Sequence, residues 1–224
     1  MLQLLKNNRG FIAFMLLFGL FRTAVADWNP IPSGSMHPNV LEGDVVFVNR
    51  LAYDLKLPLT DRILARVGEP QRGDIVTFSS PVDGTRLIKR LIALPGDRVE
   101  MRDKHLVING VAAQYAPLSA APEAGVGDDA SWPVERQLER TGGGSQHEIQ
   151  WLEGRGSINS FAPLTIPQGY YLMLGDNRDN SADSRFIGLV PRNLLIGKAV
   201  RILVSADIKG NWMPRLQRFG QALL

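Results

Sequence analysis

Two serines lie in one short segment whose composition suits a hydroxyl nucleophile. Ser33 and Ser35 flank a glycine, and prolines at positions 32 and 38 stiffen the chain on either side. Such a turn can present one hydroxyl to a substrate and leave backbone N–H groups free to bind an anion. Because Ser, Gly and Pro are also ordinary loop residues, the segment alone predicts only a turn.

A serine hydroxyl needs a base before it can act as a nucleophile, and Lys89 is one candidate. It lies within the apolar run 87–94, which reads as a strand. A core-facing lysine loses its proton more readily because burial disfavours the ammonium form. Strand alternation equally allows Lys89 to face solvent while Arg90 faces inward, and periodicity does not decide between the two.

Histidine offers a weaker route to a base. His105 lies in a hairpin-like segment and His147 in a polar one, while His37 is only two residues from Ser35. That spacing is a poor geometry for reaching the Ser35 hydroxyl. The sequence therefore does not favour a Ser-His-Asp triad, although His37 stays open as a base.

A dense polar segment, residues 175–188, directly follows the apolar run 170–174. In most proteins such a segment is a solvated loop. Apolar residues on both sides favour an internally paired, partly buried loop that can hold a lysine in place.

Composition limits the class of protein. The 224 residues suffice for one domain, or for one domain and an anchor, and exclude a multidomain machine. The absence of cysteine excludes disulfides, zinc–thiolate sites and a thiol nucleophile. The net charge of +3 arises within residues 1–26, and the rest of the chain is balanced, so a nucleic-acid-binding surface is not implied.

The basic excess flanks an apolar segment, residues 11–21, that indicates a membrane. The segment is short for a spanning helix, which needs about 17 to 25 residues, and residues 24–26 read as a small-residue cleavage site of a secretory signal. Arg22 lies inside what would be the cleavage region, which favours an uncleaved anchor with Arg22 reaching toward the surface. We expect residues 1–28 to be a cytoplasmic N-terminus and transmembrane anchor, and residues 29–224 to be exported.

Beyond the anchor, short β-rich runs alternate with turn residues and predict an antiparallel β architecture. The predicted strands are 44–49, 74–79, 87–93, 98–101, 105–108, 170–174 and 199–204. Residues 112–163 read as a variable surface insertion with little regular structure. In the amphipathic segment 211–224, apolar residues at spacings of four, three and four predict a helix, packed on the β core or lying on a membrane surface.

Four segments, in this order after the apolar N-terminus, resemble the motifs of bacterial type I signal peptidases. They are Ser33–Met36 with Pro38, then residues 72–78, 88–97 and 175–185. The resemblance implies a mostly β fold: an antiparallel β-sheet catalytic domain with a small inserted region, preceded by one N-terminal transmembrane helix. It also implies a serine endopeptidase that uses a Ser-Lys dyad and removes signal peptides after Ala-x-Ala sites, with no metal or cofactor.

The resemblance assigns roles to individual residues. Ser35 becomes the acyl-forming nucleophile, Lys89 its general base, and the Ser35 N–H with the Ser33 hydroxyl the oxyanion hole. Ser181 would hydrogen-bond and orient the Lys89 amine. The remaining roles are a supporting ion pair and three apolar residues lining shallow substrate pockets: Asp183 with Arg185, and Ile31, Met36 and Ile88.

The implied partners are signal-peptide-bearing preproteins emerging from the export machinery and membrane lipid, with no nucleic acid. The implied location is the bacterial cytoplasmic (inner) membrane, single-pass, with the catalytic domain on the outer, periplasmic face. One alternative keeps the chemistry but dedicates it to maturing one secreted or conjugative pilus subunit. A DNA-binding, self-cleaving Ser-Lys regulator and a non-enzymatic binding domain are less favoured, because the N-terminus is apolar and the motifs occur jointly.

Overall fold

The computed structural model describes residue 3 and residues 8–58, 60, 62–119, 123–142 and 144–223. Helix α1 (Arg9–Ala24) precedes a body made largely of strands. The strands are β1 (Ala26–Pro30), β2 (Asp44–Asn49), β3 (Asp54–Lys56), β4 (Ile63–Arg66), β5 (Ile75–Ser79), β6 (Arg86–Ala93), β7 (Arg98–Arg102), β8 (His105–Ile108), β9 (Val111–Ala112), β10 (Gln114–Pro117), β11 (Glu123–Ala124), β12 (Pro133–Arg140), β13 (Gln146–Leu152), β14 (Phe161–Thr165), β15 (Tyr170–Leu174), β16 (Val190–Pro191) and β17 (Leu195–Ser205). Short helix α2 (Ser184–Ile187) lies between β15 and β16, and single 3₁₀ turns are Arg50–Ala52, Gly127–Asp129, Arg192–Leu194 and Leu216–Arg218.

The largest sheet of the described residues has the strand order β1-β2-β17-β5-β6-β15-β16. Its neighbouring strands are antiparallel, and β6 is hydrogen-bonded to β5 on one side and β15 on the other. Smaller antiparallel sheets join β14-β7-β8-β9, β10-β12-β11 with β13 beside β12, and β3-β4. The predicted mostly β, antiparallel fold class is confirmed, and strand β6 lies inside the main sheet.

Local sequence explains where these strands begin and end. Strand β2 alternates buried and half-buried residues, as expected for a strand with one face on the core. Between β8 and β9, Asn109 and Gly110 have φ values of 53° and 80°, which a two-residue hairpin turn requires. The Asn-Gly pair therefore forms the turn between these two strands.

One apolar cluster supports the segment that carries Ser35. Ile31 and Met36 are buried in it together with Ile75 of β5, and Ile88 of β6 packs against its edge. The cluster also contains Val46 and Val48 of β2. The Ser35 segment therefore rests on the main sheet.

The expectation of little regular structure between residues 112 and 163 is wrong. Strands β10 to β14 lie in this region, and Trp151 is only 1% exposed. The pattern was hidden because several inward positions carry polar groups, among them Glu139, His147 and Gln150, which are all buried. Paired polar groups at core positions erase the hydrophobic alternation from which strands are predicted.

The predicted helix over 212–223 is also wrong. Trp212 has a left-handed φ of 60°, and helical geometry is limited to the turn Leu216–Arg218. The segment instead returns along β17, where the Leu223 N–H donates to the carbonyl of Val200 at 3.0 Å and the Ile202 N–H donates to Gln221 at 2.9 Å. Backbone bonds to a neighbouring strand have replaced the bonds within a helix.

Helix α1 has 16 residues, none of them buried. Within the part of the chain that the structure describes, no helix combines the length and the apolarity needed to cross a membrane. The anchor expected within residues 1–28 includes residues 1–2 and 4–7, which lie outside the described residues.

Candidate active site

The Ser35 segment is a tight turn held by its carbonyl groups. The Asn177 N–H donates to the Ser35 carbonyl at 3.3 Å, and the Asn177 side-chain amide donates to the Gly34 carbonyl at 3.0 Å. The Ser35 N–H donates to no group among the described residues. Fixed carbonyls and a free N–H leave this turn with a donor available for a developing negative charge.

Lys89 and Ser35 are brought together. The Lys89 Nζ lies 2.7 Å from the Ser35 Oγ and 3.0 Å from the Ile88 carbonyl. Lys89 is 2% exposed and Ser35 is 9% exposed. The sequence left open which of two neighbours faces inward, and the structure buries both Lys89 and Arg90, each against a different partner.

Burial lowers the pKa of the Lys89 ammonium to about 8, against the opposing charges of Asp183 and Asp176. An amine with this pKa is about one-tenth neutral at pH 7, and this fraction, which can accept a proton, grows as the pH rises. The pair therefore has the contact and the proton affinity that a general base and its nucleophile require.

Ser33 lies at the surface of the same turn. The oxyanion hole assigned to the Ser33 hydroxyl and the Ser35 N–H stays a prediction. Of the three predicted pocket residues, Ile88 is half-buried, Ile31 is 4% exposed and Met36 has no exposed surface. Ile88 is thus the member of this set with the most surface facing solvent.

The predicted polar loop packs directly on the Ser35 turn. A Cβ built on Gly175 would lie 2.5 Å from the Ser35 carbonyl oxygen and 2.2 Å from the Ser181 Oγ. Asp183 and Arg185 form the predicted ion pair at 2.8 Å with both side chains fully buried, and Asp183 also accepts from the Gly175 N–H at 3.0 Å. The loop is internally paired and partly buried, as the sequence indicated.

The hydrogen bond expected between Ser181 and Lys89 is not present. The Ser181 Oγ is buried without a hydrogen-bond partner, while the Lys89 Nζ contacts Ser35 and the Ile88 carbonyl instead. Ser181 lies against Gly175, beside the turn. Its role in orienting the lysine stays a prediction.

One protein family matches most of the chain. The family model described as signal peptidase, peptidase S26, matches residues 4–204. The chain belongs to this family. The signal peptidase I of Pseudomonas fluorescens is 34% identical over 230 residues, which cover 97% of this chain and 78% of the relative. The signal peptidase I of Pseudomonas aeruginosa is similar to the same extent, 34% over 97% of this chain and 78% of its own length. Among solved structures, a signal peptidase I from Enterococcus faecalis V583 matches 58% of this chain and 96% of that chain at 36% identity, with a TM-score of 0.34.

Membership in the signal peptidase family confirms the resemblance read from the four motifs and makes this chain a serine peptidase of the signal peptidase I type. The match includes the turn with Ser35, strand β6 with Lys89 and the loop with Asp183. Among the described residues, no group of three or more His, Asp and Glu side chains could hold a metal ion.

Sequence reasoning missed the buried charges behind this signal peptidase site. Arg90 forms a two-bond pair with Asp176 at 2.8 Å, and Arg178 pairs with Glu139 at 2.7 and 2.8 Å. Asp176 and Arg178 belong to a recognised motif, but Glu139 lies in the region read as an insertion. An isolated acid in a polar segment carries no sequence signal of burial.

A second missed feature involves His37. Its ring nitrogens lie 2.8 Å from the Asp129 Oδ2 and 2.5 Å from the Glu42 Oε2, and the ring is 1% exposed. The ring is thus committed to two carboxylates, while the Lys89 amine contacts Ser35. This arrangement disfavours the histidine base that the sequence left open.

Proposed function

We propose that the chain is a membrane-anchored signal peptidase that removes N-terminal signal peptides from exported preproteins by a Ser-Lys mechanism. The observation that carries the proposal is the 2.7 Å contact between the buried Lys89 Nζ and the Ser35 Oγ. Family membership supports the class of substrate, and this contact supports the chemistry.

The reaction begins with proton transfer. The neutral Lys89 amine accepts the Ser35 hydroxyl proton while the Oγ attacks the scissile carbonyl carbon. The resulting oxyanion receives hydrogen bonds from the Ser35 N–H and the Ser33 hydroxyl. The Lys89 ammonium returns its proton to the leaving amine, the C–N bond breaks, and an ester links the signal peptide to Ser35.

Water completes the cycle. Lys89, neutral again, takes a proton from a water molecule that attacks the ester carbonyl. The ester bond breaks, the Ser35 oxygen recovers a proton from Lys89, and the signal peptide leaves as a carboxylic acid. Both halves of the cycle therefore need a lysine that is neutral near the working pH, which burial provides.

The proposed cleavage sites carry small residues at the first and third positions before the cut, in the Ala-x-Ala manner. Ile88, which precedes Lys89 in β6, is half-buried and supports this preference by offering a small apolar surface beside the dyad. In an apolar pocket, one methylene group of the substrate changes the free energy of discrimination between substrates by only about 1 to 3 kcal/mol. Placement of the substrate at the membrane would supply the remaining selectivity.

Helix α1 supports the membrane anchor. Its large apolar side chains are exposed: Phe11, Phe14, Met15, Leu16, Leu17, Phe18, Leu20 and Phe21. An apolar helix without buried residues needs another apolar medium, and a lipid bilayer supplies one. The positive charges at its start favour a cytoplasmic N-terminus, with the catalytic domain on the outer face of the inner membrane.

Cleavage of a purified preprotein with an Ala-x-Ala site, by the detergent-solubilised full chain, tests the proposal. We expect Ser35→Ala and Lys89→Ala to abolish cleavage, and Lys104→Ala, a lysine outside the site, to cleave like the wild type. Cleavage by Lys89→Ala at the wild-type rate would refute the assignment of the base. Failure of the wild type on general precursors, with activity on a single secreted or pilus subunit, would favour the dedicated maturation protease.

A further inference from the structure

Two carboxylates hold the His37 ring directly behind the Ser35 turn. The Nδ1 lies 2.8 Å from the Asp129 Oδ2, and the Nε2 lies 2.5 Å from the Glu42 Oε2. All three side chains are buried, at 1%, 0% and 3% exposure respectively. With an acceptor at each ring nitrogen, the arrangement matches the charged imidazolium, which donates from both nitrogens. We call this group the His37 clamp.

Asn177 connects the clamp to the catalytic turn. Asp129 ends a short turn in the 112–163 region, and its Oδ2 also accepts from the Asn177 amide at 2.7 Å. Asn177 in turn donates to the Gly34 and Ser35 carbonyls. His37, Asp129 and Asn177 therefore form a continuous set of hydrogen bonds that ends on the backbone of the nucleophile.

Close packing makes this connection stiff. A Cβ on Gly34 would lie 2.8 to 3.1 Å from atoms of the His37 ring, so only glycine leaves room for the ring against the turn. A Cβ on Gly127 would likewise lie 2.7 Å from the Glu42 Oε1. A rotation of the ring or of either carboxylate would therefore displace the backbone around Ser35.

The charges around the clamp favour a protonated ring. Glu42 and Asp129 are the anions in contact with the ring, and Asp129 further accepts from the Gln150 and Asn180 amides. Farther out, Asp128 pairs with Lys209 at 2.8 Å, and the Arg215 guanidinium donates to the Glu42 backbone carbonyl and pairs with Asp207. Burial opposes the charge, but the hydrogen bonds and charges of Asp129 and Glu42 outweigh it and raise the pKa of His37 to about 9.

We propose that His37 is a positioning residue for the peptidase reaction: as an imidazolium held by Glu42 and Asp129, it fixes the turn that aims the Ser35 hydroxyl at Lys89 and the Ser35 N–H at the oxyanion. This inference rests on the proposed function, because it presupposes the Ser-Lys peptidase reaction. It gives the 112–163 region, through Asp129, a direct part in maintaining the site.

A bell-shaped pH profile follows from the two buried basic groups, Lys89 and His37. Lys89 must be neutral, so activity rises as the pH increases through about 8. His37 must be charged, so activity falls as the pH rises through about 9. We attribute the fall of activity at high pH to the clamp, because with a general-base lysine alone the activity would reach a plateau at high pH.

The test is the pH dependence of kcat on a peptide with an Ala-x-Ala site, for the full chain in detergent and three variants. Asp129→Asn removes one anion, so we expect its alkaline limb to move down by about one pH unit or more. His37→Gln is expected to lose the alkaline limb and about tenfold or more in kcat, with KM nearly unchanged, since misplacement by about 1 Å costs up to about 100-fold. Glu153→Gln, an exposed acid outside the clamp, is the control and keeps the wild-type profile.

Circular dichroism first establishes that each variant is folded. A wild-type alkaline limb that stays in place in both Asp129→Asn and His37→Gln would overturn the proposal, as would His37→Gln retaining wild-type kcat. Acylation of Ser35 by p-nitrophenyl acetate, followed by intact mass against pH, gives the same readout without a signal peptide. If the wild type leaves precursors uncut but its acylation depends on His37, the proposed substrate is refuted. The positioning role of His37 would then still stand.

Discussion

The contact between Gly175 and the Ser35 turn leads to a sharp prediction for Gly175→Ala. The φ of Gly175 lies outside the left-handed region, so an alanine backbone is allowed there. The new Cβ would lie 2.5 Å from the Ser35 carbonyl oxygen and 2.2 Å from the Ser181 Oγ. The Ser181 side chain can rotate away, but the Ser35 oxygen belongs to the backbone, so the loop and the turn must separate.

The required separation sets the size of the effect. An ordinary contact for a Cβ begins at 3.4 Å, so the Ser35 carbonyl must move by about 1 Å. Overpacking of this kind costs about 1 to 3 kcal/mol, against a typical stability of about 5 to 15 kcal/mol, so the variant stays folded. A displacement of about 1 Å at the reacting group lowers kcat by up to about 100-fold. We therefore expect a large loss of activity with a small loss of stability.

The assay compares kcat for preprotein cleavage with the midpoint of urea unfolding in Gly175→Ala and in Gly156→Ala. Gly156 is an exposed glycine without a positive φ, and a Cβ there would meet nothing within 4 Å. The control should match the wild type in both measurements. Wild-type kcat in a folded Gly175→Ala would show that the packing of this loop on the turn does not position the nucleophile.

Three further outcomes follow from the buried charges and from strand β1. Arg178→Met leaves Glu139 unpaired in the core and should lower the free energy of unfolding in urea by about 3 to 5 kcal/mol. Adding Glu139→Gln should recover part of that loss. Equal stability of the single and the double variant would contradict this. His37 has a pKa raised from 6.5 to about 9, so the stability it contributes is complete below pH 6.5 and is lost as the pH rises through about 9. In His37→Gln, the free energy of unfolding should decline less over the same pH range. The Ala26–Asp27 bond, which follows the small-residue cleavage motif, lies within β1 and is paired with β2, so N-terminal sequencing of the folded protein should find no chain beginning at Asp27.

The parts of the fold that the sequence predicted share a simple physical signal. Strands β2, β5, β6 and β15 bury apolar side chains, and Gly or Asn-Gly turns separate strands such as β8 and β9. The motifs around Ser35 and Lys89 lie on or beside those strands. Their proximity could therefore be predicted from the resemblance, although strand alternation did not decide which way Lys89 faces.

The parts that the sequence did not predict depend on polar groups at buried positions. Glu139, His147 and Asp129 are each 5% exposed or less, yet their own residue types predict a surface. The pairs that make their burial possible join residues far apart in the chain, as Arg178 and Glu139 do across 39 positions. Local pattern contains no information about such partners, so both the order of the 112–163 region and the His37 clamp escaped prediction.

Lys89 is subject to two opposing influences, burial and the nearby acids. Burial lowers the pKa of this lysine, but the nearby Asp183 and Asp176 raise it toward its ordinary value of 10.5. Each of these acids is bound by an arginine, Asp183 by Arg185 and Asp176 by Arg90, at 2.8 Å in both cases. Burial is the larger influence, so the pKa stays at about 8 although both acids raise it. The acids can therefore order the loop around the dyad while the lysine amine keeps a pKa at which it accepts the serine proton.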